Sequence, residues 1–187
     1  MKKYYPFILL VGIGNELRED DAIGYYLVKN FKLKNLCILY PELYKLNLRK
    51  LIKKITISFL DYNFCDYIKD FQFVIFVDSW INNNEKPKVS FSKIENVIND
   101  SNLIHISNPF SHYVNIVNFI KYYKALNKIN DLSNQDKNKF FLLKIKGYSF
   151  GYKKALTKEA KKNMQIASLL LIKFLHFLIK KNFLFLE

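Results

Sequence analysis

The chain has 187 residues, half of them hydrophobic and 17% aromatic, which suits one globular unit with a sizeable core and excludes a disordered segment. Its 30 basic residues against 16 acids give a formal charge of +14, yet only Arg18 and Arg49 are arginines. Base-edge and phosphate recognition favours the bidentate arginine fork, so the charge reads as a solvated lysine surface, with attraction of an acidic protein partner as its other use, and no nucleic-acid partner is expected.

Residues 7–11 (Phe-Ile-Leu-Leu-Val) form a continuous apolar run, the pattern of a central parallel strand buried on both faces. The run is too short for a signal peptide and ends at Gly12. Gly12 and Gly14 permit a tight turn, and Glu16, Glu19, Asp20 and Asp21 then crowd together in an otherwise basic chain. Such a cluster just past a strand end has reason to hold something electropositive, either a metal ion or a helix N-terminus. Asp20 or Asp21 can N-cap a helix over 22–31 that turns Ile23, Tyr26, Leu27 and Phe31 towards the sheet. A dinucleotide fingerprint fails here because Leu17 replaces its third glycine and the carboxylates would repel a pyrophosphate. No Gly-Lys-Ser/Thr follows, so a P-loop is excluded too.

Residues 36–54 have a lysine-rich helical periodicity towards their end, and 55–60 (Ile-Thr-Ile-Ser-Phe-Leu) read as a strand. A short helix is expected over 63–70. Residues 73–77 (Phe-Val-Ile-Phe-Val) are the clearest strand and end in Asp78. Residues 89–94 alternate as a half-exposed edge strand does. A short strand over 103–106, a helix over 113–126, a polar loop over 127–138 and a strand over 140–145 follow. A long helix over 158–180 closes the order, with Thr157 as N-cap. The apolar stretch 166–186 is interrupted by Lys173, His176, Lys180 and Lys181, too often for a membrane span. A core helix is expected there, with a membrane-surface helix as the alternative. Cys37 and Cys65 form no CxxC pair, which excludes a zinc framework and a disulfide scaffold and fits a reducing, cytoplasmic setting.

Alternating strands and helices without a linker or repeat predict a single α/β domain, a mainly parallel sheet with helices on both faces. Ligands bind such sheets outside the carboxyl ends of the strands. The cluster from Glu16 to Asp21 and the strand-end Asp78 should therefore open on the same edge.

These residues carry a resemblance. Four blocks in order are similar to the hydrogenase maturation proteases, which trim the large subunit of nickel–iron hydrogenases. They are Gly12-Ile-Gly-Asn-Glu-Leu-Arg-Glu-Asp-Asp-Ala-Ile-Gly24, the stretch from Phe59 to Val77-Asp78, Ser111-His112 before an apolar helix, and Gly147-Tyr-Ser-Phe-Gly-Tyr152 with Leu156-Thr-Lys-Glu-Ala160. The resemblance spans almost the whole chain. It implies a three-layer α/β/α domain with a mostly parallel twisted sheet over residues 1–187, in which the lysine-rich segment 38–54 is an insertion. It also implies a metal-sensing site of two carboxylates and a histidine. By position these are Asp21, Asp78 and His112, with His105 as the rival histidine. Asp21 stands where some members have glutamate.

The implied activity is that of a peptidase, an endopeptidase that removes a C-terminal extension from the hydrogenase large-subunit precursor once nickel is in place. Nickel arrives with the substrate, and the isolated protein would hold a divalent ion such as zinc or nickel. Two Asp and one His suit such a borderline ion, and three ligands leave a position open. No defensible nucleophile–base pair is present, since neighbouring Ser111 and His112 need not point at each other. Water is the expected nucleophile, activated either by an Asp or by the metal. The alternative is a non-catalytic, nickel-dependent checkpoint protein that binds the precursor. The expected partner is that precursor, with no membrane partner, and the expected state is a cytoplasmic monomer.

Overall fold

The structure, a computed structural model, describes residues 7–81, 87–94, 115–129, 140–153 and 155–184. Among the described residues five strands form one sheet: β1 (Ile8–Ile13), β2 (Ile52–Ile57), β3 (Phe73–Trp80), β4 (Val89–Lys93) and β5 (Phe140–Lys146). Their spatial order is β2-β1-β3-β5-β4; every pairing is parallel except that of β4, which closes the edge antiparallel to β5. Around it run α1 (Ile23–Asn30), α2 (Lys34–Leu39), α3 (Leu48–Leu51), α4 (Phe64–Ile68), α5 (Ile116–Ile129) and α6 (Lys158–Ile179).

Strand alternation builds three layers. Ile8 and Leu10 of β1, with Ile75 and Val77 of β3, pack against α1 and α6. Leu9, Val11 and Ile13, with Val74 and Phe76, pack against α4 and α5. All six residues of β1 are buried, which is why its sequence does not alternate. The aromatic contacts fix the direction of α5. Its Phe119 meets Phe76 at 6.1 Å and its Tyr123, one turn on, meets Phe140 at 5.1 Å. Phe76 lies level with Leu142, two residues further along the sheet than Phe140. Helix α5 therefore runs against the strands, and its first residues point to their carboxyl edge.

Several boundaries differ from the sequence reading. Strand β2 starts three residues earlier than expected, taking in Lys53 and Lys54. The ammonium of Lys54 donates to the carbonyls of Val28, Lys29 and Phe31 at 3.1, 3.2 and 2.6 Å, and so caps the carboxyl end of α1. The segment 38–54 also sends Leu43 and Leu48 into the core beside α6. Strand β3 runs on to Trp80, so Asp78 lies inside it. Helix α5 continues to Ile129, into the segment expected as loop. The remainder of that loop and the strand expected over 103–106 lie outside the described residues. Thr157 does cap α6, accepting from Ala160 N at 3.1 Å. Among the described residues no helix is long and apolar enough to cross a membrane.

Candidate functional site

Strand order reverses direction between β1 and β3: from β1 the chain goes to β2 on one side and then to β3 on the other. Such a switch point opens a crevice at the carboxyl ends of the strands. Three close approaches shape it. A Cβ on Gly12 would stand 2.5 Å from the carbonyl oxygen of Gly24, and one on Gly24 would stand 2.2 Å from that of Val77 and 2.5 Å from that of Ile13. Helix α1 therefore begins in direct backbone contact with both strand ends. Gly14, at φ 143°, turns the chain where a side chain would strike the carbonyl of Asp21.

The two adjacent aspartates have separate fates. They occupy a 3-10 turn, Glu19–Ala22, in which successive side chains point about 120° apart. Neither caps a helix through its side chain, contrary to the sequence expectation. Asp20 is fully buried. Its Oδ2 accepts from Tyr148 N, Ser149 N and Thr157 Oγ1 at 2.8, 3.2 and 2.8 Å, and its Oδ1 from Thr157 N at 2.7 Å. The loop after β5 is thereby bolted to the opening signature. Glu19, whose φ of 43° is in the left-handed region, extends the same joint. Its carboxylate accepts from the Ser149 hydroxyl and from Gly151 N, and these bonds hold its pKa below the ordinary value.

Asp21 is half-buried and takes no part in that joint. Its Oδ2 accepts from Asn15 N at 2.9 Å. Asp78 stands opposite on β3, with Oδ1 accepting from Ser79 N at 2.8 Å. Burial, and next the negative charge of Asp21, push the Asp78 carboxyl up from 3.8 to about 7, against the pull of the Ser79 amide and the Lys144 ammonium. The structure thus brings Asp21 and Asp78 together. Alternation places Asp78 on the α5 face of the sheet, the face of Val74 and Phe76. Lys144 is its register partner on β5, and the Lys144 ammonium lies 4.7 Å from the Trp80 ring. Among the described residues the buried Trp80 indole N–H has no hydrogen-bond partner.

Glu16 belongs to another arrangement: it pairs with Lys29 at 3.3 Å, and Lys29 also donates to the Tyr25 hydroxyl. His112, His105 and Ser111 lie outside the described residues. His176 stacks on Tyr40 with centroids 3.6 Å apart and bonds to Glu42 at 2.8 Å, which ties α6 to the segment after α2. Among the described residues no group of three His, Cys, Asp or Glu side chains is placed to hold a metal ion. Lys144 and Trp80 went unnoticed in the sequence. The available signal was a lysine breaking the apolar run of β5 beside the strand that ends in Asp-Ser-Trp.

The fold is a doubly wound α/β domain with an acidic pair near its switch point. Solved structures share that fold. The NiFe hydrogenase maturation protease HybD from Thermococcus kodakarensis is similar over 90% of this chain and 98% of its own, with a TM-score of 0.55 at 15% identity. The maturation protease HycI from Thermococcus kodakarensis KOD1 is similar over 91% and 92%, with a TM-score of 0.61 at 17% identity. The hydrogenase maturating endopeptidase HybD from E. coli matches over 91% and 92%, with a TM-score of 0.59 at 15% identity. At these identities the likeness is one of fold. No family model and no curated protein matches the sequence.

Proposed function

We propose that the chain is an endopeptidase that removes the C-terminal extension of a nickel–iron hydrogenase large-subunit precursor after nickel has been inserted. The observation that carries this reading is the opposed pair Asp21 and Asp78 at the switch point, on a fold shared with proteins named as such proteases. The four sequence blocks support it independently.

A buried carboxyl whose pKa is raised partly by a neighbouring carboxylate is a site that a cation would relieve, and an oxygen/nitrogen donor set suits nickel or zinc. His112 is the third donor in this reading. In the sequence it stands just ahead of Asn115, where α5 begins at the carboxyl edge on the face of Asp78. Nickel enters as part of the precursor. Asp78, with a pKa of about 7, is poised to take a proton from an attacking water at neutral pH. The neighbouring Lys144 stabilises its ionised form.

The test uses purified components: the nickel-loaded precursor, the nickel-free precursor and four proteins. The parent and Glu16→Gln should cut only the loaded form. Asp21→Asn and Asp78→Asn should lose roughly a hundredfold or more, because an amide is a poor ligand and no base. Cutting of the nickel-free precursor at an equal rate, or full activity of Asp78→Asn, overturns the reading. Tight binding of the loaded precursor without cleavage by the parent would identify the checkpoint alternative.

A further inference from the structure

Helix α6 is apolar on two faces. Its inner face, through Ala167, Leu171, Leu175 and Leu178, is buried in the core. Its outer face carries a second stripe: Ile166, Leu169, Leu170 and Phe177 are 47%, 55%, 38% and 56% exposed. At 3.6 residues per turn these four fall within an arc of about 100° and extend along roughly 16 Å of helix. The stripe continues sideways. A groove of about 390 Å³ between α2 and α6 joins Leu169 to Ile38 and Leu39, which are themselves 61% and 53% exposed. One protein face thus gathers six large exposed aliphatic or aromatic side chains, interspersed with Gln165, Ser168 and Lys173.

Its charge is one-sided. Helix α6 has four lysines and one acid, Glu159. Lys162 and Lys173 fall within the same outward arc and are exposed, with Glu159 of the first turn as the one acid there. Two copies of the chain docked through this face would oppose lysine to lysine. Lysines set among exposed leucines and a phenylalanine, with stems long enough to lie along an apolar layer while the ammonium stays in water, have the composition of a helix lying in a membrane interface.

We infer that the outer face of α6, with the adjoining edge of α2, docks on an anionic lipid surface. The apolar stripe enters the headgroup boundary and the lysines meet the anionic headgroups. This departs from the sequence expectation of no membrane partner and takes up its alternative for the stretch 166–186.

Vesicle flotation of the full chain tests it. The parent should float with phosphatidylcholine vesicles containing phosphatidylglycerol, remain behind with pure phosphatidylcholine, and be released by high salt. The double variant Ile166→Glu/Leu169→Glu should lose binding about tenfold or more, and Lys173→Glu should lose several-fold. Both alter exposed positions, and circular dichroism checks that the fold is kept. The inference is overturned if the parent fails to float, floats equally with neutral lipid, or floats undiminished as the double variant. It is also overturned if sedimentation shows that the same variant abolishes a dimer of the parent instead.

Discussion

Gly24 rests against the carbonyl of Val77, so tightly that a Cβ would stand 2.2 Å from its oxygen. Val77 immediately precedes Asp78, and Gly24 lies three residues after Asp21. The contact sets the spacing of the two aspartates through backbone alone. Gly24→Ala should push α1 off the strand ends, cost about 2–4 kcal/mol and separate the carboxylates. Urea unfolding measures the first effect. A fall of the Asp78 pKa, followed by NMR, measures the second. A variant as stable as its parent would show that the helix can shift freely.

Asp20 and Asp21 should respond unequally to the same change. Asp20→Asn turns an amide N–H₂ towards N–H and O–H donors in a buried site and should cost about 2–4 kcal/mol. It should also expose the loop 147–153 to proteolysis. Asp21→Asn removes a like charge from beside Asp78 and should leave stability within about 1 kcal/mol. Equal melting of the two variants would contradict the division of labour described above.

The metal-free protein should lose stability as pH rises through the titration of Asp78. With a folded-state pKa of about 7 against 3.8 unfolded, the folded chain retains a proton that the unfolded chain has released across that interval. Stability therefore declines between about pH 4 and pH 7 and levels off above, by up to a few kcal/mol at roughly 1.4 kcal/mol per pH unit. Asp78→Asn should flatten that decline and exceed the parent at about pH 8. Trp80, the one tryptophan and two residues along the same strand, provides the fluorescence readout. An unchanged slope in the variant would assign the titration elsewhere.

Lys54→Met keeps the aliphatic stem but removes three bonds to the end of α1, and should cost about 1–2 kcal/mol. Lys50→Met, at an exposed position, should stay within about 0.5 kcal/mol. Thermal unfolding of both proteins makes the comparison, and equal melting temperatures would deny Lys54 its capping role.

Patterns local in sequence were legible. The apolar runs of β1 and β3 announced buried parallel strands, and Thr157 announced the start of α6. Partners distant in sequence were not. Nothing near Asp20 distinguishes it from Asp21, because its donors lie 128 to 137 residues away. Lys54 looked like part of a helical lysine pattern because the carbonyls it serves belong to another element, 23 to 26 residues back. That Asp21 and Asp78 lie on one edge could be expected because two strand ends of a parallel sheet share it. The raised pKa of Asp78 could not be read, since it depends on burial and on how closely Asp21 approaches.

The joint at Asp20 has a consequence for how the protein is made. Among the described residues its carboxylate accepts only from amides and a hydroxyl of residues 148 to 157. A chain emerging from the ribosome presents the opening signature first and those donors more than a hundred residues later. Until then the 3-10 turn has no anchor, and a buried carboxylate without donors would be costly. The opening turn is therefore fixed only at a late stage of synthesis. A chain terminated before residue 148 would carry the acidic motif without the donors that hold its turn in place.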